Sequence, residues 1–453
     1  MFDSSFPIRT RLLKAGEVLL IIFALPLTYR VHHGEALMRI TGMDATAGLI
    51  GLLFLLCLYF VDFYEPDITV HRMHSLSRIM QATGLTLLIV GPLLEIKVPV
   101  LTNTGSMLLG LILVAVGLTT SRFLFAQVVS NPSFAEPAIV WGSGPLAACI
   151  VRELQNRPDL GIQVVGMVDR CFSGKTFVGV RYLGPPDLLW SLGDSGQVSK
   201  LILALDERRG SLPLERLMAA MASGLNIENG TELYEKLTGR VWLDTFSVAN
   251  LLFSRKLRPS AAGLLFKRIL SVSVAAIALV ATLPIMLVTA LLIRCESAGP
   301  VIFRQTRIGK NGHPFTMFKF RSMQVNAVGC APAMRDDPRC TRVGNWIRRF
   351  RIDELPQLIN ILKGDMDLVG PRPFVPEQEA SLVREIPDYR QRWTVPPGET
   401  GWAQVHRGYC SSLEDNIEKL SYDLFYIKNL SFALDILVLF KTLRVVLLGR
   451  GGR

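Results

Sequence analysis

The sequence predicts a membrane protein of mixed α and α/β class, with helices at its N-terminus, an alternating segment in its middle and a mostly helical C-terminal part. Half of the 453 residues are hydrophobic and the mean hydropathy is +0.35, which is high for a soluble chain. Four apolar stretches open the chain, and short apolar runs then alternate with helix-compatible segments. A fifth apolar stretch introduces a more polar region that continues to the C-terminus.

The charge balance narrows the class of partner. Lysine and arginine outnumber aspartate and glutamate by 49 to 38, which gives a formal net charge of +11. In an apolar chain, this excess favours an anionic membrane surface or phosphorylated ligands and argues against nucleic acid. The seven cysteines are scattered without a CxxC pair, so we expect reduced thiols and neither a disulfide framework nor a zinc site.

We predict a bundle of four transmembrane helices within residues 1–130. The second and fourth apolar stretches approach the ~20 residues that a membrane-crossing helix needs, whereas the first needs flanking residues to be long enough. Arg9, Arg11 and Lys14 precede the first stretch and predict a cytoplasmic N-terminus, although two later arginines fall on the opposite side. Four crossings return the chain to the cytoplasm. The stretches are residues 18–29, 45–63, 80–96 and 107–129.

Residues 131–255 alternate between strand candidates and helix-compatible segments, an order typical of a Rossmann-like cytoplasmic domain. The turn Gly142-Ser143-Gly144 could bring backbone N–H groups near a phosphate, and Asp169 is placed like a ribose-binding acid. Pro145 and Ala147 depart from the full glycine pattern, so nucleotide binding and a structural or regulatory sheet both stay open. The strand candidates are residues 138–141, 162–168 and 201–205.

The fifth apolar stretch, residues 269–293, carries no charge and is long enough to cross a bilayer. Pro284 interrupts it and removes a helix hydrogen bond. Lys267 and Arg268 precede it and arginines follow it, which predicts that both ends face the cytoplasm. From these residues alone, a spanning helix and a re-entrant helix are equally open. The last apolar segment, residues 432–448, contains three charges and suits the membrane interface better than a crossing.

Asp353 and Glu354 form the candidate catalytic pair. They follow an arginine-rich run and precede a helix-compatible segment. An isolated Asp-Glu pair is usually a helix cap with surface ion pairs. Here several basic or glycine-marked segments accompany it, and cations together with a divalent ion held by oxygen ligands are what a carboxylate needs to approach a phosphate. We therefore predict phosphoryl chemistry, with one acid attacking phosphorus and its neighbour holding the metal.

These segments carry a family resemblance over about two-fifths of the chain. They are Gly-Pro-Val-Ile-Phe with Gln305 and Arg307, Lys-Phe-Arg-Ser-Met, Asp-Glu-Leu-Pro-Gln-Leu, Lys-Gly-Asp-Met with Leu-Val-Gly-Pro-Arg-Pro, Gly-Glu-Thr-Gly-Trp-Ala-Gln-Val and Tyr422-Asp423-Leu424. From about Lys267 to its end, the chain resembles the bacterial polyprenyl-phosphate sugar-phosphate transferases, the monotopic phosphoglycosyl transferases. The predicted crossings and the Rossmann-like segment resemble the long form, whose members initiate exopolysaccharide, capsule or O-antigen synthesis.

The resemblance implies a ping-pong reaction at the cytoplasmic face of the bacterial inner membrane. Asp353 would attack the sugar-linked phosphate of a UDP-sugar, release UMP and carry the phosphosugar until undecaprenyl phosphate takes it. Glu354 would bind Mg²⁺. The family further implies a catalytic domain at residues 256–453, a re-entrant helix at about 267–293 in contact with membrane lipid, and a homodimer. Glucose and galactose lead as the sugar by family, with no residue here tied to the choice.

The resemblance also assigns substrate-binding residues around the pair. Arg372 would contact the nucleotide, and Lys319 and Arg321 would lie near the phosphates, with structural ion pairing as the alternative for all three. Two departures from the family pattern are Arg351-Ile352 in place of the commoner Ser-Leu and His406 in place of Asn. The remaining substrate-binding candidates are Arg304, Gln305 and Arg307.

Two rival readings stay in view. A membrane-bound nucleotide-sugar dehydratase or epimerase can share the crossings and the Rossmann-like sheet. It would need a Tyr-x-x-x-Lys pair, and none of the nine tyrosines has a lysine four residues later. The second rival is an inactive scaffold of polysaccharide assembly, and the intact Asp353-Glu354 pair argues against it.

Overall fold

The chain forms two compact units, Met1–Leu237 and Thr238–Arg453. The predicted domain boundaries at residues 130 and 255 lie outside the residues that the structure describes. The computed structural model describes residues 8–33, 42–61, 63, 72–95, 104–129, 135–170, 172, 174–190, 198–205, 212–244, 261–324, 339–407 and 412–447.

Four long helices begin the first unit, at the positions of the four apolar stretches. The first packs against the second and fourth, and the third packs against the same two. Their shared core includes Ile21, Phe54 and Leu118, each fully buried. A buried ion pair also joins the first and fourth helices, because Arg122 donates from Nε to Glu17 Oε1 at 2.6 Å and from Nη2 to Oε2 at 2.9 Å. The helices are α1 (Ile8–His33), α2 (Gly42–Phe60), α3 (Arg72–Glu95) and α4 (Thr104–Val129).

Two helical segments among the described residues are long and apolar enough to cross a membrane. They are Leu108–Gln127, within α4, and Gly263–Glu296 in the second unit. Gly48–Phe60 and Ser75–Val90 are apolar but shorter. Many large hydrophobic side chains on these helices are exposed, including Leu88 at 72% and Val280 at 74%, which suits contact with lipid. These features indicate membrane association, and the four-crossing topology stays a prediction.

The rest of the first unit is the predicted parallel sheet. Its strand order is β3-β4-β2-β1-β5-β6, and every pair is parallel except β3 with β4. The strands are β1 (Glu136–Trp141), β2 (Ile162–Val168), β3 (Thr176–Phe177), β4 (Val180–Gly184), β5 (Lys200–Leu203) and β6 (Asn226–Asn229). The helices are α5 (Pro145–Asn156), α6 (Leu214–Ala222) and α7 (Gly230–Thr238).

Packing explains the first glycine of the turn after β1. Gly142 has a φ of +131°, and a Cβ there would lie 2.3 Å from the carbonyl oxygen of Ala204. Only glycine allows this close approach of the chain leaving β5. The requirement is independent of any phosphate, so both interpretations of this sheet remain open.

The second unit contains a long helix, an antiparallel hairpin, a short parallel strand pair and a set of shorter helices. Its main core gathers buried side chains from most of these elements, among them Ile361, Val369, Leu424 and Val438. The strands are β7 (Ile302–Ile308), β8 (Pro314–Phe320), β9 (Asp367–Val369) and β10 (Gly398–Thr400). The helices are α8 (Ala261–Glu296), α9 (Arg342–Arg349), α10 (Gln357–Lys363), α11 (Pro376–Glu385), α12 (Trp402–His406), α13 (Leu413–Lys428) and α14 (Phe432–Leu447).

Both ends of α8 are attached to the second unit by cations. Near its start, Lys267 Nζ donates to the Val369 carbonyl, to Tyr426 and to Asp435 at 2.7–2.9 Å. Just past its end, the Arg321 guanidinium donates to the Ser297 and Ala298 carbonyls. The helix runs through Pro284 over 36 residues, and its re-entrant path stays a prediction.

Candidate active site

The acid pair lies on a single 3₁₀ turn, Ile352–Glu354, between α9 and α10. Arg351, immediately before it, has a φ of 54°, in the left-handed region that non-glycine residues rarely adopt. At the start of α9 the Thr341 hydroxyl caps the helix by accepting from Gly344 N. The left-handed Arg351 therefore separates α9 from the 3₁₀ turn on which Asp353 and Glu354 lie.

Three cations surround the carboxylate of Glu354, and we call Lys319, Arg351 and Arg372 the cation cluster. Lys319 Nζ and Arg372 Nη2 both donate to Oε1, at 3.1 and 2.8 Å. Arg351 Nη1 donates to Oε2 at 3.2 Å. Burial of the side chain, which is 12% exposed, opposes ionisation. The cation cluster outweighs it and holds the pKa of Glu354 well below its usual value.

Asp353 has the opposite shift. Burial and the adjacent negative charge of Glu354 raise its pKa to about 6, while Lys319, Arg348 and Arg372 act in the lowering direction. Neighbouring acids with pKa values pushed apart are typical of sites where two carboxylates have different roles. At neutral pH Asp353 is ionised, yet nearby cations offset its negative charge less than they offset that of Glu354.

A buried network holds Arg372 in place. Arg392 Nη2 donates to the carbonyl oxygen of Arg372 at 3.0 Å and to Asp423 Oδ2 at 2.8 Å. Its other terminal nitrogen, Nη1, donates to Glu379 Oε1 at 3.3 Å and to the Tyr389 hydroxyl. The Asp423 of the Tyr-Asp-Leu motif thus supports the Pro-Arg-Pro segment through Arg392.

A third carboxylate, Glu399 on β10, completes the surroundings of the pair. Burial and repulsion by Glu354 raise its pKa to about 8, against the attraction of the cation cluster. Its Oε2 is buried and accepts no hydrogen bond within the part of the chain that the structure describes. A buried carboxylate oxygen without a donor is unfavourable unless something else binds it.

The other predicted substrate-binding residues have different surroundings. Arg321 is buried, and its guanidinium donates to the backbone at the end of α8. Arg307 donates to the Pro373 carbonyl at 3.1 Å and to Gln305 Oε1 at 2.6 Å, so this pair braces the Pro-Arg-Pro segment. Arg304 is exposed, with its guanidinium 6.0 Å from the Phe318 ring centre. Lys319 and Arg372 are brought to the acid pair, and substrate binding by these four stays a prediction.

Comparison with known proteins identifies the C-terminal unit. The bacterial sugar transferase family matches residues 262–449. An exopolysaccharide production protein, PSS, of Rhizobium leguminosarum bv. phaseoli is 41% identical over 173 residues, which are 36% of this chain and 86% of the relative. The chain belongs to the bacterial sugar transferase family.

Two longer relatives extend the comparison of this sugar transferase. A UDP-N-acetylgalactosamine-undecaprenyl-phosphate N-acetylgalactosaminephosphotransferase of Aeromonas hydrophila is 42% identical over 283 residues, 61% of this chain and 64% of the relative. A UDP-glucose:undecaprenyl-phosphate glucose-1-phosphate transferase of Escherichia coli K12 is 44% identical over 163 residues, 35% of each chain. The chain thus spans between about a third and just under two thirds of the length of these two relatives.

Sequence reasoning about this sugar transferase missed the roles of Arg351 and Glu399. Arg351 was noted only as a departure from the family pattern, although it stands three residues before Glu354, a spacing that allows an ion pair. Glu399 was visible within the Gly-Glu-Thr-Gly motif, but no signal in the sequence indicates that β10 lies beside the acid pair.

The donor set of the sugar transferase site fits a divalent cation of the Mg²⁺ type. A carboxylate offers about four lone-pair positions, and the cation cluster occupies three of those on Glu354, which leaves one on Oε2. The unpartnered Oε2 of Glu399 adds a second hard oxygen. Over the described ranges, no three His, Cys, Asp or Glu side chains come together as a metal-binding group. Mg²⁺ typically uses one or two carboxylates and completes its shell with water and substrate phosphates, so two donors suffice.

Proposed function

We propose that this sugar transferase moves a sugar 1-phosphate from a UDP-sugar to undecaprenyl phosphate and releases UMP. The observation that carries the proposal is the contrast between two adjacent carboxylates. Three cations bind Glu354, whereas the negative charge of Asp353 is offset less and its pKa is raised. The named relatives that transfer sugar phosphates to undecaprenyl phosphate support the same reaction class. The proposal places this reaction at the start of exopolysaccharide, capsule or O-antigen synthesis.

In the first step, an oxygen of Asp353 attacks the phosphorus that carries the sugar. A new bond joins this oxygen to phosphorus as the bond from phosphorus to the bridging oxygen of the diphosphate breaks. UMP leaves with the electron pair of that bond, and no general acid is needed because a nucleotide phosphate is a good leaving group. The raised pKa of Asp353, about 6, makes it a stronger nucleophile than an ordinary aspartate while leaving it ionised at neutral pH.

In the second step, a phosphate oxygen of undecaprenyl phosphate attacks the same phosphorus. The bond to Asp353 breaks, the carboxylate is restored, and the product is the undecaprenyl diphosphate-linked sugar. Arg372 and Lys319 stabilise negative charge on the phosphoryl oxygens in both steps. Glu354 orients these two cations by accepting hydrogen bonds from both on one oxygen.

Glu354 also holds Mg²⁺ in this proposal. When bound, the ion neutralises part of the diphosphate charge that would otherwise repel the attacking carboxylate. Lys319, Arg351 and Arg372 bind Glu354 and keep its carboxylate ionised, which is the form that would hold the ion.

The membrane arrangement is part of the same proposal. Four crossings by α1–α4 and a re-entrant α8, held to the second unit by Lys267 and Arg321, put the acid pair on the cytoplasmic face beside the lipid phosphate. The exposed apolar side chains of α8 support burial of this helix in lipid. A homodimer, also expected, is checked by light scattering of the purified protein.

The test is transfer of radiolabelled sugar phosphate from a panel of UDP-sugars into undecaprenyl phosphate. We expect one donor to react, EDTA to abolish transfer, and Asp353→Asn to abolish it too. Asp187→Asn is the matched control, because Asp187 is an exposed side chain in the first unit. A wild-type protein that transfers nothing from any donor would refute the function, and full activity of Asp353→Asn would refute the nucleophile.

The order of steps has its own measurement. With UDP-sugar and no acceptor, the wild type should release UMP in an amount equal to the enzyme and retain the labelled phosphosugar on the protein. Transfer without that initial release would mean direct passage from donor to acceptor. The transferase assignment would survive this result and the ping-pong mechanism would not.

A further inference from the structure

We propose that Glu399 is the second carboxylate ligand of the divalent cation that Glu354 binds. The inference rests on the proposed function, since that function supplies the reason for a cation at this site. It concerns a side chain that the motif comparison assigned no role.

The backbone fixes Glu399 beside the Pro-Arg-Pro segment. Strand β10 pairs in parallel with β9, and its flanking groups bond to the chain that leads to Arg372. Gly398 N donates to the Pro371 carbonyl at 3.0 Å, and Gly370 N donates to the Thr400 carbonyl at 2.8 Å. These bonds lie on both sides of Glu399, so its Cα position is set by main chain alone.

Glu399 follows Gly398, which bonds to Pro371, and the next residue of that segment, Arg372, donates from Nη2 to Glu354 Oε1 at 2.8 Å. Its Oε2 is buried and accepts no hydrogen bond from the residues that the structure describes. Near Glu354, an additional carboxylate adds repulsion and needs a positive partner. Lys319 and Arg372 donate to Glu354 Oε1, and Arg351 donates to its Oε2.

Charge counting indicates what this partner is. The cation cluster brings three cations to the site, and Asp353, Glu354 and Glu399 bring three carboxyl groups. The diphosphate of a UDP-sugar adds further negative charge when it enters. A divalent cation between Glu354 and Glu399 restores the balance with hard oxygen ligands, and the diphosphate supplies further ligands.

The experiment measures metal binding rather than turnover. Purified full-length protein in detergent is titrated with Mn²⁺ in the presence of UDP, and the free aqueous Mn²⁺ is followed by electron paramagnetic resonance. We expect Glu399→Gln to weaken Mn²⁺ binding by at least about tenfold, as loss of a metal-site carboxylate does. Glu377→Gln is the matched control, since Glu377 is exposed on α11, and it should bind Mn²⁺ like the wild type.

Unchanged Mn²⁺ affinity in folded Glu399→Gln would overturn the inference. If this variant bound Mn²⁺ like the wild type but changed the preference among UDP-sugars, Glu399 would contact the donor instead of the metal. Glu399→Asp covers the case of a variant that fails to fold: it keeps the charge, withdraws the oxygens, and should weaken Mn²⁺ binding by an intermediate factor. Wild-type affinity in this variant would count against the inference. Wild-type protein that binds Mn²⁺ through Glu399 but transfers no sugar phosphate would defeat the proposed function and leave the metal ligand standing.

Discussion

Replacing Arg392 by methionine tests the buried network behind the active site. The side chain of Arg392 is 5% exposed, and its carboxylate partners Glu379 and Asp423 are 3% and 4% exposed. Methionine removes the cation that Glu379, Asp423 and the Tyr389 hydroxyl share, and both carboxyl groups then stay buried without it. Breaking a buried ion pair from one side typically costs about 3–5 kcal/mol, because a charge stays buried without its partner.

Glu379→Gln is the matched comparison. It leaves Arg392 with Asp423 as a neutral pair, and the amide oxygen can still accept the bond from Arg392. We expect it to cost about 1 kcal/mol. At about 2–4 °C per kcal/mol for a unit of 150–250 residues, Arg392→Met should lower the melting temperature by roughly 6–20 °C and Glu379→Gln by roughly 2–4 °C. Thermal unfolding of the purified full-length protein, followed by intrinsic fluorescence, measures both.

The pH dependence of the Arg392→Met deficit gives a second check. Burial already raises the pKa of Glu379 and of Asp423, and Arg392 acts against that rise. Without Arg392 both pKa values rise further, so the folded variant holds protons that the unfolded chain releases above about pH 4. Its stability relative to the wild type therefore falls as pH rises, and the deficit should be larger at pH 8 than at pH 5. Equal melting temperatures for Arg392→Met and Glu379→Gln, or a deficit that shrinks with rising pH, would refute the reasoning.

Three further substitutions test other parts of the second unit. Burial and Lys441 lower the pKa of His406 to about 3, so below about pH 6.5 the unfolded chain binds a proton that the folded protein excludes. As the pH falls below about 6.5, the wild type should therefore lose up to about 1.4 kcal/mol of stability per pH unit relative to His406→Gln. Melting temperatures of the two proteins that change equally with pH would contradict this. Asn360→Ala removes a fully buried amide that bonds to β8, the strand that carries Lys319. We expect a loss of about 2–4 kcal/mol in thermal unfolding together with reduced transfer, and wild-type behaviour would exclude a role for Asn360 in bracing this strand. Gly398→Ala would bring a Cβ to 2.0 Å from Gly370 N, so we expect little folded protein in gel filtration. A stable, active variant would show that the backbones at Gly370 and Gly398 can move apart.

Local patterns in the sequence predicted much of the fold. The five apolar stretches became α1–α4 and α8, and the β2 candidate, residues 162–168, has the bounds observed. These elements depend on neighbouring residues, through helix periodicity or strand length, which a sequence displays directly.

The candidate site could be predicted only in part. Asp353 and Glu354 are adjacent, so their pairing needed no tertiary information. Glu399 is brought beside the Pro-Arg-Pro segment by the pairing of β9 with β10, in which Asp367 lies opposite Gly398, and such long-range pairing leaves no local signal. Arg321 directly follows the strand that carries Lys319, yet its guanidinium donates to the backbone just past the end of α8, which the sequence did not indicate. Side-chain direction beyond a strand end depends on the partner elements.

The contact between Gly370 and Gly398 limits how this transferase can be redesigned. A Cβ on Gly370 would lie 2.5 Å from the Pro396 carbonyl oxygen, so neither glycine has room for a side chain. The two backbones touch at this crossing, and Gly398 N donates to the Pro371 carbonyl, so the segment that carries Arg372 and the strand that carries Glu399 are joined through main chain. A side chain at either glycine would push these two segments apart. Changes to this part of the site therefore have to be made at side chains such as Glu399 and not in the main chain that carries them.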